Sequence, residues 1–202
     1  NRGKILSGTR FAIINQDIAD YRDKALRIRK KINNQNILIN FGFSSHESLY
    51  SQFIKSLISN GDMQGKSISL LSSNKTSNEF KDLLDSLKVR LLTSLSPIEL
   101  AKLYISTDFC IGAGGVSALE RCCLGLPSGV VCIAENQYPG SVQLEKKGCI
   151  KLLNNFPDLT LSIDIIKNLL NDDNQLKELS INSLNEVDGN GLRRILSEVE
   201  SA

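Results

Sequence analysis

The residues best suited to chemistry lie in the stretch IGAGGVSALERCCLGLP, from Ile111 to Pro127. Glycines at positions 112, 114 and 115 allow the backbone to approach a phosphate closely, because they carry no Cβ. A helix that begins at Val116 or Ser117 would direct free N–H groups and its positive dipole end toward that phosphate, and Ser117 could add a hydroxyl donor. The stretch predicts a strand, a glycine turn and a helix that hold a diphosphate; the alternative is a tight turn that only packs a strand against a helix.

Glu120 follows the glycine turn by about one helical turn and is expected on the side that faces it. A carboxylate in this position can accept hydrogen bonds from both hydroxyls of a ribose, as the acidic residue does in dinucleotide-binding folds. The glycines form neither a classical dinucleotide fingerprint, which belongs to the first strand of a sheet, nor a Walker loop, because no GK[ST] follows them. Glu120 is therefore predicted to bind a ribose, with a solvated or helix-capping side chain as the alternative.

Two further loops are expected beside this turn. They are residues 42–46, after the first predicted strand, and residues 134–138, after the fifth. Ligands of doubly wound sheets bind beyond the carboxyl ends of the strands, where these loops would converge. The side-chain amides of Asn136 and Gln137 in the second of these loops favour ligand binding over simple packing for the glycine turn.

The loop after the first strand also contains His46, the only histidine of the chain. Histidine is the natural general acid or base at neutral pH, but an exposed loop position near a helix start is the favoured interpretation. Ser44 and Ser45 are helix caps or phosphate donors, and the sequence does not separate these roles. The Cys122-Cys123 pair is interpreted as helix packing, because its spacing does not suit a metal.

These residues must be positioned by elements that alternate regularly from residue 37 onward. Short apolar runs predict strands at 37–41, 67–71, 89–92, 109–111, 128–133 and 149–153. Helical spacing predicts helices at 47–59, 77–87, 97–106, 116–124, 139–147 and 161–170. Strands that are nearly all apolar are typical of a parallel sheet covered on both faces. The alternation therefore predicts an α/β, Rossmann-like doubly wound parallel sheet of about six strands.

The chain is expected to have three parts. Residues 1–33 form a lead-in segment with a helix, residues 34–172 the Rossmann-like domain, and residues 173–202 two helices broken at 188–191. The basic run 27–31 is interpreted as a solvated helix face. The first residue is Asn1 and the only methionine is Met63, so the sequence is expected to be an excerpt from a longer protein.

Composition narrows the classes of partner. The 202 residues carry a net charge of +2, which requires neither nucleic acid nor an acidic membrane. No apolar stretch approaches the roughly 18 residues of a membrane span, and no signal peptide opens the chain. The cysteines show neither metal-ligand spacing nor a disulfide ladder, so reduced thiols in a cytoplasmic protein are expected, with no metal and no cofactor. Three cysteines fall on predicted strands and two on a helix: Cys110, Cys132 and Cys149, and Cys122 and Cys123.

The order of these motifs resembles the C-terminal half of GT-B nucleotide-sugar enzymes. The shared features are FG-x-S, a strand–GAGG–helix unit with a glutamate, and a strand that ends in EN-Q. The string AGG-x-S-x-x-E-x-C-x-L-G-x-P followed by AENQ is similar to the UDP-sugar hydrolases of pseudaminic acid synthesis, and more loosely to the peptidoglycan N-acetylglucosaminyltransferases. The resemblance covers residues 37–153 well; it is weaker in the lead-in and in Asp188-Gly-x-Gly-x-x-Arg of the tail.

The resemblance implies a UDP site between two Rossmann-like domains, of which this is the second. Residues 114–117 would hold the diphosphate and Glu120 the ribose. Asn136 and Gln137 would face the sugar or the phosphates, and the loop 92–95 would hold the uracil, largely by backbone groups. The implied binding residues are Gly42, Phe43, Ser44, Leu92, Thr93, Gly114, Gly115, Val116, Ser117, Glu120, Asn136 and Gln137.

The implied activity is the release of UDP from a UDP-linked diacetamido-trideoxy hexose. In the hydrolases the catalytic histidine belongs to the N-terminal domain, which this sequence lacks, so no catalytic residue is expected here and His46 does not take that role. The chain alone is expected to bind UDP weakly and to hydrolyse nothing. Two alternatives remain open: the donor-binding domain of a GT-B glycosyltransferase, and a non-catalytic nucleotide-sugar-binding module.

One segment departs from the family pattern. The family commonly shows FGGSD in the first loop, whereas this chain has Phe41-Gly-Phe-Ser-Ser45. Phe43 narrows the loop and the acidic residue is absent. The departure leaves the identity of the sugar open but does not affect the expectation of nucleotide binding.

Overall fold

The computed structural model describes residues 4–31, 33–42, 47–59, 63–72 and 76–201. The strands in these ranges are β1 (Asn36–Asn40), β2 (Ser67–Leu71), β3 (Arg90–Leu92), β4 (Phe109–Ala113), β5 (Ser128–Val131) and β6 (Lys151–Leu152). They form one sheet in the order β3-β2-β1-β4-β5-β6, and every neighbouring pair is parallel. The strand order reverses between β1 and β4, so the sheet is doubly wound. The predicted Rossmann-like α/β fold is confirmed.

Helices connect the strands and continue past the last one. They are α1 (Gln16–Ala19), α2 (Arg22–Ile28), α3 (Glu47–Ser59), α4 (Asn78–Ser86), α5 (Pro97–Ser106), α6 (Val116–Cys123), α7 (Tyr138–Lys146), α8 (Ile163–Leu170), α9 (Asp173–Glu186) and α10 (Gly191–Glu200). The described residues also form two short 3-10 helices, Thr9–Phe11 and Glu135–Gln137. Across the described ranges, no helix combines the length and the apolar character needed to span a bilayer.

Alternate residues of each strand enter two apolar cores on opposite faces of the sheet, because side chains alternate along a strand. Ile37 and Ile39 of β1 pack on one face with α3, α4 and α8. Leu38, between them, packs on the other face with α1, α5 and α6. Both faces are therefore covered, which explains why the strands are nearly all apolar.

Three strands, β3, β5 and β6, are shorter than their apolar runs predict. Cys132 and Cys149 lie beside β5 and β6 rather than within them, which corrects their predicted placement, whereas Cys110 lies in β4. At Cys132 the side chain of Asn154 replaces the neighbouring strand as hydrogen-bond partner. Asn154 Oδ1 accepts the Cys132 N–H at 2.9 Å, and Asn154 Nδ2 donates to the Cys132 carbonyl at 3.0 Å. The backbone ladder ends there because an amide side chain supplies both bonds. All five cysteines are buried and free.

Arg29 corrects the prediction that the basic run 27–31 is a solvated face. Its guanidinium is buried and donates to three backbone carbonyls, those of Leu124 at 3.2 Å, Thr107 at 2.6 Å and Tyr104 at 2.6 Å. Arg29 thereby caps the C-terminal ends of α5 and α6, where carbonyls lack intrahelical donors. Burial lowers the pKa of Arg29 to about 10, so it is still a cation at neutral pH.

The tail consists of α9 and α10, separated by residues 187–190, close to the predicted break at 188–191. Leu176 and Leu179 of α9 pack in the same core as β1. Arg22, from the lead-in, donates to the carbonyls of Cys123 at 2.6 Å and Val187 at 2.9 Å. The division of the chain into residues 1–33, 34–172 and 173–202 stays a prediction.

Candidate functional site

The glycine turn links the end of β4 to the start of α6, at the reversal of strand order. Gly115 precedes the helix with φ 80° and ψ −149°, a conformation that residues with a Cβ rarely adopt. A Cβ there would meet no atom closer than 3.8 Å, so conformation rather than space demands glycine. Val116, the first residue of α6, is 60% exposed. The turn therefore presents its backbone to solvent.

The other two glycines of the turn are required by packing. A Cβ at Gly114 would lie 2.7 Å from Ser141 Oγ of α7, far inside contact distance. A Cβ at Gly112 would lie 2.7 Å from the carbonyl oxygen of Asn40 in β1 and 2.9 Å from Arg121 Nη1. These two glycines allow close approach of neighbouring elements, and Gly115 is the one that faces outward.

The start of α6 leaves its backbone donors open. Among the residues that the structure describes, none accepts a hydrogen bond from the N–H groups of Gly115, Val116 or Ser117. No side chain caps the helix, whereas α5 begins with a complete capping box formed by Ser96 and Glu99. Free N–H groups and the positive end of the helix dipole together favour an anion at this position.

Glu120 lies one helical turn beyond these open donors and is half-buried. Within the described ranges, its carboxylate has no hydrogen-bond or ion-pair partner. Burial raises the pKa of Glu120, and the charge of Arg121 partly opposes this shift. A half-buried carboxylate without a partner is costly in a folded chain, and hydroxyl donors of a ligand would satisfy it.

Arg121 is the residue that the sequence interpretation missed. It is fully buried, donates from Nε to Ser128 Oγ at 3.2 Å and from Nη2 to the carbonyl of Ala113 at 2.7 Å. Helical spacing held the signal, because Arg121 lies three residues after the buried Ala118 and one before the buried Cys122. That spacing places Arg121 on the inner face of α6, directly beneath the glycine turn.

The loop after β5 lies against the turn. Gln137 Oε1 accepts the N–H of Ile133 at 3.1 Å, and the Gln137 backbone carbonyl accepts the hydroxyl of Ser141 at 2.8 Å. A Cβ at Gly114 would lie 3.1 Å from the Gln137 Cβ, so Gln137 packs directly beside the turn. Asn136 is exposed. Of this predicted pair, Gln137 therefore helps to build the turn, while Asn136 faces solvent.

The remaining predicted residues lie toward the other side of the sheet. The Leu92 carbonyl accepts the N–H of Ser72 at 3.0 Å, and Thr93 is exposed. The edge strand β3 lies three strand spacings from β4, about 14 Å, so a ligand bound at both places would extend across β1 and β2. Gly42, after β1, donates its N–H to Asn40 Oδ1 at 3.0 Å. Predicted residues Phe43 and Ser44, as well as His46, lie outside the described residues.

The assembled groups suit recognition of an anion with attached hydroxyls. Open backbone donors begin α6, the unpartnered Glu120 carboxylate follows one helical turn later, and the buried guanidinium of Arg121 reaches back to the carbonyl of Ala113. Over the part of the chain that the structure describes, no group of three or more His, Cys, Asp or Glu side chains is placed to hold a metal ion. The buried thiols of Cys110 in β4 and Cys122 in α6 are unsuited to nucleophilic chemistry at neutral pH, because burial raises the pKa of each to about 11.

No protein-family model and no curated protein matches this sequence. Solved structures match its fold. UDP-GlcNAc 2-epimerase from Neisseria meningitidis, bound to UDP-GlcNAc, aligns over 92% of this chain and 53% of its own with a TM-score of 0.69 and 16% identity. MnaA from S. aureus, in a co-structure with UDP, aligns over 92% of this chain and 52% of its own, with a TM-score of 0.66 and 12% identity.

WaaG, a glycosyltransferase involved in lipopolysaccharide biosynthesis, aligns over 96% of this chain and 54% of its own, with a TM-score of 0.62 and 15% identity. This chain therefore spans about half the length of each of the three structures. At these low identities the TM-scores show a shared fold: the parallel, helix-flanked sheet of this chain matches about half of each of these GT-B structures.

Proposed function

We propose that this chain is the UDP-sugar-binding half of a GT-B-type enzyme. The observation that carries the proposal is the open start of α6, where the N–H groups of residues 115–117 have no acceptor among the described residues. Glu120 stands one turn away without a partner. Both features lie where strand order reverses, which is the usual ligand position in a doubly wound sheet.

In this arrangement residues 114–117 bind the diphosphate and Glu120 accepts hydrogen bonds from the ribose hydroxyls. The uracil rests near Leu92 and Thr93 at the sheet edge. The loop that contains Gly42, Phe43 and Ser44, together with Asn136 and Gln137, lies toward the sugar. Backbone donors aimed at the diphosphate stabilise the negative charge that develops on UDP as it leaves.

Two activities of a complete enzyme would use this site, with the catalytic groups supplied by a second domain of the same protein. The similarity to WaaG, a glycosyltransferase, and to UDP-bound structures favours the donor-binding domain of a transferase. The string AGG-x-S-x-x-E-x-C-x-L-G-x-P followed by AENQ supports the second candidate, a hydrolase that releases UDP from a diacetamido-trideoxy hexose. Release of UDP by the complete protein without an acceptor favours the hydrolase; release that requires an acceptor favours the transferase.

Titration calorimetry of the chain with UDP, CMP and NAD tests the binding proposal. UDP is expected to bind most tightly, and Glu120→Ala to weaken UDP by about 1–3 kcal/mol, because a hydrogen bond to a charged group is lost. Glu178→Ala, which removes an exposed carboxylate from α9, serves as the matched control and should leave UDP binding unchanged. Equal binding of the three nucleotides, or binding of none, would contradict the proposal.

A further inference from the structure

Arg121 holds a hydrogen-bond donor that the protein itself leaves unused. Its side chain is fully buried, yet Arg121 Nη1 has no partner among the described residues. The other two guanidinium nitrogens donate to Ser128 Oγ and to the Ala113 carbonyl. A buried cation with an unsatisfied donor is costly, because burial removes the water that would otherwise solvate it.

Arg29 shows how the same fold satisfies a buried guanidinium when the role is structural. Each of the three Arg29 nitrogens donates to a separate backbone carbonyl. Arg29 is bound to the C-terminal ends of two helices, whereas Arg121 lies beneath the N-terminal end of α6. The unused donor is therefore specific to the edge where a ligand is proposed to bind.

The groups around Arg121 supply no contacting negative charge at neutral pH. Burial raises the pKa of the Cys110 thiol to about 11 and also raises that of the Tyr104 phenol, so both groups are neutral. Cys122 is likewise a buried, neutral thiol with a pKa near 11. Glu120 feels the charge of Arg121 but makes no ion pair with it. Buried charges in proteins are normally paired. The neutral Tyr104 hydroxyl lies near the guanidinium, but no described residue gives Arg121 an anionic partner.

The guanidinium is close to the turn that would hold phosphate. It donates a hydrogen bond to the carbonyl of Ala113. Ala113 is two residues before Gly115, so the Cα atoms of Ala113 and Gly115 are no more than about 8 Å apart. Arg121 Nη1 also lies 2.9 Å from the position that a Gly112 Cβ would take, which is itself 2.7 Å from the carbonyl oxygen of Asn40 at the end of β1. The cation is therefore placed under the reversal of strand order.

We propose that Arg121 is a positioning residue that holds the glycine turn through Ala113 and supplies a buried positive charge whose missing partner is a bound diphosphate. The inference rests on the proposed function, since it assigns a further residue to the same site. Its consequence is a dependence on ligand charge. Arg121 should matter little for uridine, more for UMP and most for UDP.

The test compares Arg121→Met with the unaltered chain in titrations of uridine, UMP and UDP. We expect UDP binding to weaken about 30-fold and uridine binding less than about 3-fold, as a unit charge at this range in a partly screened site predicts. Arg121→Lys, which restores the charge, should recover UDP binding to within about 5-fold of the unaltered chain. Arg29→Met, the matched buried arginine, should show no dependence on ligand charge.

Two results would overturn the inference while UDP binding itself stands. One is an equal loss for the three ligands in Arg121→Met, which marks a purely structural arginine. The other is disappearance of the UDP effect in a Glu120→Gln background, which would show that Arg121 only balances Glu120. Absence of UDP binding to the unaltered chain would instead overturn the proposed function and this inference with it.

A measurement on the unaltered chain covers the case in which Arg121→Met does not fold. The side-chain Nε–H resonance of Arg121, assigned by its loss in Arg121→Lys, is followed by NMR as ligand is added. It should shift with UDP and much less with uridine, while the Arg29 resonance stays in place. A resonance that responds equally to both ligands, or to neither, contradicts the proposal.

Discussion

The backbone groups at the two ends of α6 differ in their hydrogen bonding. At the C-terminal end, every carbonyl from residue 120 to residue 125 has a donor, partly from turns and partly from side chains. The side-chain donors are Arg22 to Cys123, Arg29 to Leu124, and Ser180 to Gly125. At the N-terminal end, the N–H groups of residues 115–117 have no acceptor in the described ranges.

This contrast separates groups that build the fold from groups that are reserved for a ligand. Buried backbone groups in proteins are nearly always paired, and the closed end of α6 follows that rule with lead-in and tail residues. Among the described residues, the open end leaves polar groups unpaired at three places: the backbone N–H groups of the turn, the Glu120 carboxylate and Nη1 of Arg121. Substitutions at the closed end should therefore change stability, while those at the open end should change ligand binding.

The largest expected effect comes from Arg29→Met at the closed end. The change removes the donor from three carbonyls, two of them only 2.6 Å from the guanidinium. We expect the free energy of unfolding to fall by about 3 kcal/mol or more, because buried acceptors are left unsatisfied. Urea denaturation measures the loss. Arg27→Met, from the exposed part of the same basic run, should stay within about 0.5 kcal/mol; equal losses in both variants would refute the contrast.

Gly115→Ala at the open end should have an intermediate effect on folding and a strong effect on the ligand. The residue has φ 80° and an added Cβ would meet no atom closer than 3.8 Å, so the cost is backbone strain of about 1–3 kcal/mol. UDP binding should weaken by a similar amount, because the freed N–H groups change direction. Gly140→Ala, which has no crowding neighbour and an ordinary φ, is the control, and unchanged UDP binding in Gly115→Ala would count against the phosphate turn.

The smallest expected effect is a gain in stability from Glu120→Gln. Burial raises the pKa of Glu120 above its ordinary 4.5 in the folded chain, so the folded state holds this proton more tightly than the unfolded state. Unfolding free energy therefore falls as pH rises through the window between 4.5 and the raised value. At pH 7 the glutamine should stabilise the chain by less than about 1 kcal/mol and remove this slope.

Paired urea denaturations at pH 5 and pH 7 measure the slope, with Glu178→Gln as an exposed control. A glutamine variant that is less stable at pH 7 than the unaltered chain would show that Glu120 has a stabilising partner. Arg29→Met is expected to lower the free energy of unfolding and Glu120→Gln to raise it. This difference in sign is the most direct test of the comparison between the two ends of α6.

The sequence carried the alternation of strands and helices, because apolar runs report burial on both faces of a sheet. The strand order could not be predicted, because the apolar runs of β1 and β4 do not indicate which strands they pair with. The apolar pattern also ended β4 at Ile111, although Gly112 and Ala113 continue the ladder with β5. Residues with little or no side chain give no periodic signal.

The glycine turn and Glu120 could be predicted as site residues because their types carry the chemistry. Arg29 could not, because a charged side chain is expected at the surface and its carbonyl acceptors are distant along the chain. The helical spacing of Arg121 indicates the inner face of α6, but a buried guanidinium is not expected on an apolar helix face. Arg29 bonds residues 75 to 95 positions away. Such pairs become visible only when the fold brings helix ends together.

The hydrogen bonds of Arg22 and Arg29 determine which segments a fragment must include to keep its helix ends capped. Both belong to the segment before the sheet, yet their acceptors lie at the ends of α5, α6 and the tail. A gene fragment that begins at residue 34 would encode every strand and still omit the donors that close three helix ends. A fragment that keeps these donors and the core contact of Ile14, the first described residue of the lead-in that is buried, must begin at or before Ile14.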